Sequence, residues 1–416
     1  MSEKLEVRSE KLGVRREKNK VKSNAFKGLA KWFENHKPKG KWAWLESTYD
    51  AFHTFAFTPN RVTQSGCHVR DAIDLKRAMI TVVIALVPAM LFGMWNIGYQ
   101  HYLAVPESIH FPLSTFHCFW FGFLRMLPML AVSYIVGLTI EFAFAQIRHH
   151  QVNEGFLVTG FLIPMIVPVT TPLWQLALAT AFAVIIGKEA FGGTGMNFLN
   201  PALVARAFLF FAYPNRMSGD NVWIAADLWG TDAITSATPL AELAAGMRPS
   251  ASALDMLIGT IPGSTCETSV IAILLGAILL LFTGIASWRI MLSVILGGGL
   301  MGLLFQLLTP HSSLLTYPQL PFYYHYLMGG FMFGAVFMAT DPVTAAQTNI
   351  GKWIYGFLIG AFAVMLRVLN PAYPEGMMLS ILLMNCFAPL IDHCVIARNI
   401  KKRQKRAMVK SKVTAQ

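Results

Sequence analysis

Two short stretches and a few carboxylates hold most of the side chains that could do chemistry in this chain. The first stretch is Asp232-Ala-Ile-Thr-Ser-Ala-Thr238, rich in hydroxyls although 55% of the 416 residues are hydrophobic. A hydroxyl in an extended, reachable loop can accept a phosphoryl group. Thr235, Ser236 and Thr238 offer such hydroxyls beside Asp232, although in many loops these side chains only close turns. The second stretch is Lys188-Glu-Ala-Phe-Gly-Gly-Thr-Gly-Met-Asn-Phe-Leu-Asn-Pro201. Gly192, Gly193 and Gly195 let backbone approach a planar or anionic ligand, because no Cβ intervenes. Asn197 and Asn200 add amide donors and acceptors suited to the edge of a heterocycle such as an isoalloxazine. The stretch is neither a P-loop, since no GK[ST] follows, nor a dinucleotide fingerprint, since no strand–helix unit surrounds it.

The carboxylates stand next to apolar segments, where ionisable groups are costly and a functional role is the default expectation. Glu154, in Asn153-Glu-Gly155, and Asp392, in Pro389-Leu-Ile-Asp-His-Cys394, are the leading pair, followed by Glu141 and Asp341. Carboxylate oxygens with nearby carbonyls suit a hard cation such as Na⁺. The competing reading pairs each with an arginine or a helix N-terminus. The acceptor stretch itself resembles the D-x-x-[ST]-x-A-T pattern at which FMN is joined to threonine through a phosphoester, with Thr238 in the acceptor position.

The elements that must position these groups are membrane helices. Only 13% of the residues are charged, about half the usual share, so a soluble core of this size would lack a polar cover. Apolar stretches long enough to approach a crossing of about 30 Å recur at 79–99, 116–147, 155–169, 173–187, 198–213, 268–286, 290–308, 326–339, 353–366 and 377–397. The chain therefore reads as an all-α polytopic membrane protein with about ten transmembrane helices. Several stretches are short, which predicts half-length or broken helices where they line protein or a cofactor cavity.

Charge placement orients the bundle. Residues 1–48 carry thirteen Lys/Arg against six Glu, and residues 398–416 carry eight Lys/Arg and no acid. The net +12 is thus concentrated at the two ends, and the positive-inside rule places both in the cytoplasm. The predicted organisation is a basic arm (1–48), an interfacial amphipathic segment (49–78), a first bundle (79–213), a periplasmic loop with the acceptor (214–267), a second bundle (268–397) and a basic tail (398–416). No base-reading module accompanies the basic ends, so no nucleic-acid partner is expected. The five cysteines lack CxxC spacing and read as small buried hydrophobes.

Taken together, the acceptor loop, Gly192-Gly-Thr-Gly-Met-Asn-Phe-Leu-Asn-Pro-Ala202, Asn153-Glu-Gly155, Met338-Ala-Thr-Asp-Pro-Val343 and Asn370-Pro-Ala-Tyr-Pro-Glu-Gly-Met-Met378 resemble the B-subunit family of bacterial sodium-translocating NADH:quinone oxidoreductases. The resemblance runs from about Ala51 to the basic C-terminal end. It implies covalent FMN on Thr238, non-covalent riboflavin near the Gly-rich turn with Asn197 and Asn200 as contacts, and sodium uptake involving Glu154 and Asp392. It further implies a place in a six-subunit complex of the bacterial inner membrane, ubiquinone as electron acceptor, and a flavin transferase for maturation. NADH would be oxidised in another subunit, since no nicotinamide fold is present here. Two departures stand out: Met196 where the family leads one to expect Lys or Arg, and Cys266 where it leads one to expect glycine. The rivals are the D subunit of an Rnf-type ferredoxin:NAD oxidoreductase, which shares the acceptor loop, and a non-redox ion or solute transporter.

Overall fold

A computed structural model describes residues 65, 67, 75–104, 114–148, 155–218, 222–225, 236–308, 320–370 and 375–414. The basic arm, most of the interfacial segment, Glu154, Asp232 and Thr235 lie outside the described residues. Each of the ten apolar stretches contains helix. In order these are α1 (Leu75–Ala104), α2 (Thr115–Arg148), α3 (Phe156–Met165), α4 (Leu173–Gly187) and α5 (Pro201–Ala212), then two short helices, α6 (Pro239–Ala244) and α7 (Ala253–Ile258). There follow α8 (Val270–Phe282), α9 (Trp288–Leu308), a short α-turn running into a π-turn over Phe331–Met338, α10 (Asn349–Leu369) and α11 (Met377–Thr414). The chain divides into two units, residues 77–140 with 155–416, and residues 1–76 with 141–154. In the second of these, the end of α2 places the Arg148 guanidinium 5.3 Å from the Phe144 ring.

Among the described residues, six helices are long and apolar enough to cross a membrane. Their outer faces expose Ile84, Leu91, Trp120, Leu124, Leu296, Leu300 and Leu390, an apolar surface far larger than a soluble protein tolerates. This is a multi-pass membrane protein. The ten, twelve and thirteen residues of α3, α5 and α8 span only about 15–20 Å at 1.5 Å per residue. Beyond α3 and before α8 the backbone runs in bends and turns whose polar groups find partners inside the protein, as hydrocarbon requires. The Cys266 amide donates to the Met165 carbonyl at 3.0 Å, and the Thr265 amide and hydroxyl donate to the Val167 carbonyl. The ends of two broken helices are thereby stitched to each other.

The long helices approach closely at glycines, the way helices associate when lipid removes the hydrophobic drive. On α9 and α10, a Cβ at Gly297 would strike the Phe357 carbonyl and one at Gly360 the Val294 carbonyl. On α1 and α2, Gly98 faces the Cys118 backbone and Gly122 the Met94 backbone. The expectation of buried cysteines holds for Cys118 and Cys266 but fails for Cys67, Cys386 and Cys394, which are exposed. The last two lie on the outward face of α11, where a small apolar thiol suits lipid as well as core. The basic tail is not a separate element, because α11 continues into it without a break.

Gly360→Leu should therefore separate α9 from α10 and cost at least about 1–3 kcal/mol through overpacking, lowering the thermal midpoint of the purified chain. Leu300→Ala, on the lipid-facing side of α9, should leave that midpoint nearly unchanged.

Candidate functional site

Thr238 is the N-cap of α6, and Pro239 supplies the fixed φ favoured at the first helical position. Its Oγ1 accepts from the Ala241 amide at 3.1 Å. Thr238 and its neighbours Ser236 and Ala237 are half-buried. An ester at this oxygen would keep the cap, since the oxygen retains a lone pair for the Ala241 amide. Thr238 lines a solvent-open cleft in which about 100 Å³ is room for a water-sized sphere. Phe210, Trp223, Leu240 and Ile261 make its walls apolar.

A buried charge cluster forms one wall. Arg206 points inward from α5, and its Nη1 donates to both carboxylate oxygens of Glu267 at 2.9 and 3.0 Å. Nη2 donates to Ser264 Oγ at 3.4 Å and to the Glu375 carboxylate. Arg206 and Glu267 are both buried. Gly330 is bare where the Glu267 carboxylate passes; a Cβ there would come within 2.9 Å of it. Burial, partly opposed by Arg206, raises the Glu375 carboxyl above its ordinary range. Among the described residues no donor reaches the other Glu375 oxygen, Oε1, which is buried, although the Glu375 and Glu267 carboxyls lie within hydrogen-bonding reach of each other. An attachable hydroxyl, apolar walls and an orphaned polar atom are the features a tethered, largely apolar heterocycle would use. Arg206 and Glu267 are not singled out by the sequence motifs. An arginine inside an otherwise apolar helix was the available signal.

The Gly-rich turn belongs to a different place. Gly192, Gly193 and Gly195 have φ of +116°, +90° and +90°, conformations that a side chain would strain. A Cβ on Gly155 would meet Thr194 at 2.6 Å, so the start of α3 packs on the turn. The Asn197 amide is used locally: Oδ1 accepts from the Gly195 amide and Nδ2 donates to the Leu199 carbonyl. Asn200 caps α5 through the Ala202 amide and also donates to Asp341 at 3.4 Å. Met196, in place of the expected cation, is 72% exposed. Cys266, the other departure, packs against Gly93 of α1.

Asp392 lies about 22 Å along α11 from its start at Met377, at 1.5 Å per residue. Its carboxylate accepts from the Gln347 amide at 2.6 Å, the Thr348 amide at 3.0 Å and the Thr348 hydroxyl at 2.6 Å. It thus anchors the N-terminus of α10, whose other end leads toward Glu375. The candidate groups divide between two ends of the unit. Thr238, Glu267 and Glu375 gather at one, and Asp392 sits toward the other.

The chain matches the NQR2, RnfD, RnfE family over residues 62–401. It is 49% identical over 396 residues to a protein of Ectopseudomonas mendocina named as the B subunit of a Na(+)-translocating NADH-quinone reductase, covering 89% of this chain and 96% of that one. Proteins of the same name from Stutzerimonas stutzeri and Pseudomonas aeruginosa are 49% identical over 398 residues and 46% identical over 401 residues, each covering 90% of this chain and 97% of the relative.

The Asp392 contacts predict a stability effect. Asp392→Ala should cost about 0.5–2 kcal/mol, the range for a lost helix cap, since its donors at Gln347 and Thr348 are exposed or half-buried. The effects of Asp392→Ala and Thr348→Ala on thermal stability should be less than additive, because the two side chains share one cap. Full additivity would detach Asp392 from the α10 terminus.

Proposed function

The chain belongs to the NQR2, RnfD, RnfE family, and on that premise we propose that it is the B subunit of a sodium-translocating NADH:quinone reductase, with FMN esterified to Thr238. The position of Thr238 on the rim of an apolar cleft, beside the Arg206 cluster, carries the reading. The relatives are named as B subunits of the sodium-translocating quinone reductase, which favours this role over the D subunit of a ferredoxin:NAD oxidoreductase. A non-redox transporter gives no reason for an acceptor hydroxyl beside such a cleft.

A bound flavin supplies the redox chemistry; the residues of the chain hold it and set its surroundings. Thr238 fixes the phosphate end while its cap to Ala241 orients the tether. Phe210 and Trp223 give flat apolar walls, and Arg206 contributes a fixed positive charge held by Glu267. The Gly-rich turn at Gly192, Gly193 and Gly195, with Asn197 and Asn200, is the proposed place of a non-covalent riboflavin. Met196, being uncharged, leaves that place without the cation expected there. Ubiquinone is the proposed electron acceptor, and Glu154 and Asp392 the proposed sodium-uptake carboxylates. The proposed setting is the bacterial inner membrane, within a six-subunit complex and with a flavin transferase acting from the periplasm.

Thr238→Ala should abolish covalent flavin, read as in-gel fluorescence of the denatured chain, and cost about 0.5–2 kcal/mol through the lost cap. Thr235→Ala should leave the fluorescence intact. A flavin band that survives Thr238→Ala would move the attachment to another residue.

Sidedness is checked separately. Ser236→Cys, in a background without the native cysteines, should react with a membrane-impermeant thiol reagent added from the periplasmic side. Reaction only after permeabilisation would invert the proposed orientation.

For sodium, the NaCl half-saturation of quinone reduction by complexes carrying Asp392→Asn or Glu154→Gln should rise about tenfold for each 1.4 kcal/mol of binding lost. An unchanged value with full flavin content would leave Asp392 as the anchor of α10 alone.

A further inference from the structure

One guanidinium serves two carboxylates in the cleft wall. Glu267 takes both of its bonds from Arg206 Nη1, and Glu375 engages Nη2 through a single oxygen. Glu375 sits just before α11 opens, lines the cleft that Thr238 lines, and keeps Oε1 buried with no donor among the described residues, while its carboxyl lies within hydrogen-bonding reach of the Glu267 carboxyl. An ionised carboxylate oxygen without a donor is costly away from water, and protonation removes that cost. The charges that face Glu375 are Arg206 from α5, Glu267 from the segment before α8, and Arg367 from α10. Arg367 donates to the His325 and Met328 carbonyls. Both arginines keep their charge at any ordinary pH, which leaves the carboxyls as the groups able to answer a change of charge in the cleft. Burial already holds Glu375 above the usual carboxylate range, and added negative charge nearby pushes it further the same way.

We propose that Glu375 gains a proton when a flavin held on Thr238 gains an electron, and returns it when the flavin is reoxidised. The proposal rests on the reading of Thr238 as the flavin acceptor. The electron comes from a one-electron carrier upstream in the complex. The proton comes from water at the mouth of the cleft and ends as the O–H of the Glu375 carboxyl. No bond to the flavin forms or breaks. The negative charge that enters the cleft with the electron is cancelled where it would be most costly, beside a carboxylate in a poorly solvated wall.

The test is an equilibrium redox titration of the purified full-length chain at several pH values, read from flavin absorbance as the difference against Thr238→Ala. One proton per electron makes the midpoint fall by about 59 mV per pH unit, the value of a tenfold change for a one-electron couple. Within the titration range of Glu375, the wild-type slope should be steeper than that of Glu375→Gln by up to this amount. The two midpoints should agree at low pH, where both side chains are neutral, and the variant should lie higher at high pH. Glu375→Asp should keep the steeper slope. Parallel pH dependences in wild type and Glu375→Gln, with flavin attached in both, overturn the proposal.

A second measurement needs no substitution. The redox-difference infrared spectrum of the wild-type chain should gain a protonated-carboxyl C=O band on reduction, shifted in D₂O; its absence overturns the proposal as well. In-gel flavin fluorescence of the same preparations separates the two readings. A wild-type chain without a flavin band overturns the acceptor assignment itself. A fluorescent chain with parallel slopes overturns only the role of Glu375.

Discussion

Hydrocarbon offers no hydrogen bonds, and much of this structure answers that one restriction. Helices α3, α5 and α8 are too short to cross the membrane alone, so the backbone beyond them must find partners within the protein. The paired breaks at Met165–Val167 and Thr265–Cys266 supply those partners. Once the breaks are paired, the segment that carries Ser264 and Glu267 is held beside α5, which brings Glu267 under Arg206. The same segment is tied to α1 where Asn96 Nδ2 donates to the Ile261 carbonyl at 3.0 Å. The cleft beside Thr238 thus follows from the need to bury unpaired backbone.

The charge cluster obeys the same restriction with side chains. A buried guanidinium needs several acceptors, and among the described residues Glu267, Ser264 and Glu375 provide them to Arg206. Breaking such a pair by removing one partner typically costs about 3–5 kcal/mol, so the cluster fixes the geometry of the wall as well as its charge. Gly330 is part of this arrangement, since any side chain there would displace the Glu267 carboxylate.

Much of the architecture was legible in the sequence because apolar length is a strong signal. All ten stretches contain helix; the short stretches 155–169, 198–213 and 326–339 are broken as expected, whereas the short 353–366 lies within the unbroken α10 and the longer 268–286 holds only the thirteen residues of α8. The π-turn inside the 326–339 stretch was not legible, since its residues are as apolar as those of any helix. Pro201 at the first turn of α5 and the left-handed glycines at 192–195 follow directly from residue type. The cluster was hidden by distance along the chain: Arg206 meets Glu267 across 61 positions and Glu375 across 169. Asp392 could be read from sequence either as a cation ligand or as a partner of a helix terminus. The structure gives it the α10 terminus, through residues 44 and 45 positions away. Nothing in the local sequence points to that pairing.

The place of Thr238 at the first turn of α6 has a mechanical consequence. A group esterified there hangs from a short leash on a fixed post, so its local concentration in the cleft is high whatever the strength of its contacts. Retention is then settled by a covalent bond and asks nothing of the walls. Walls freed from gripping need not match one charge state of the occupant, and can tolerate one whose charge changes from one moment to the next. An untethered occupant would be held more weakly in one of its charge states and could escape in it; a leashed one cannot.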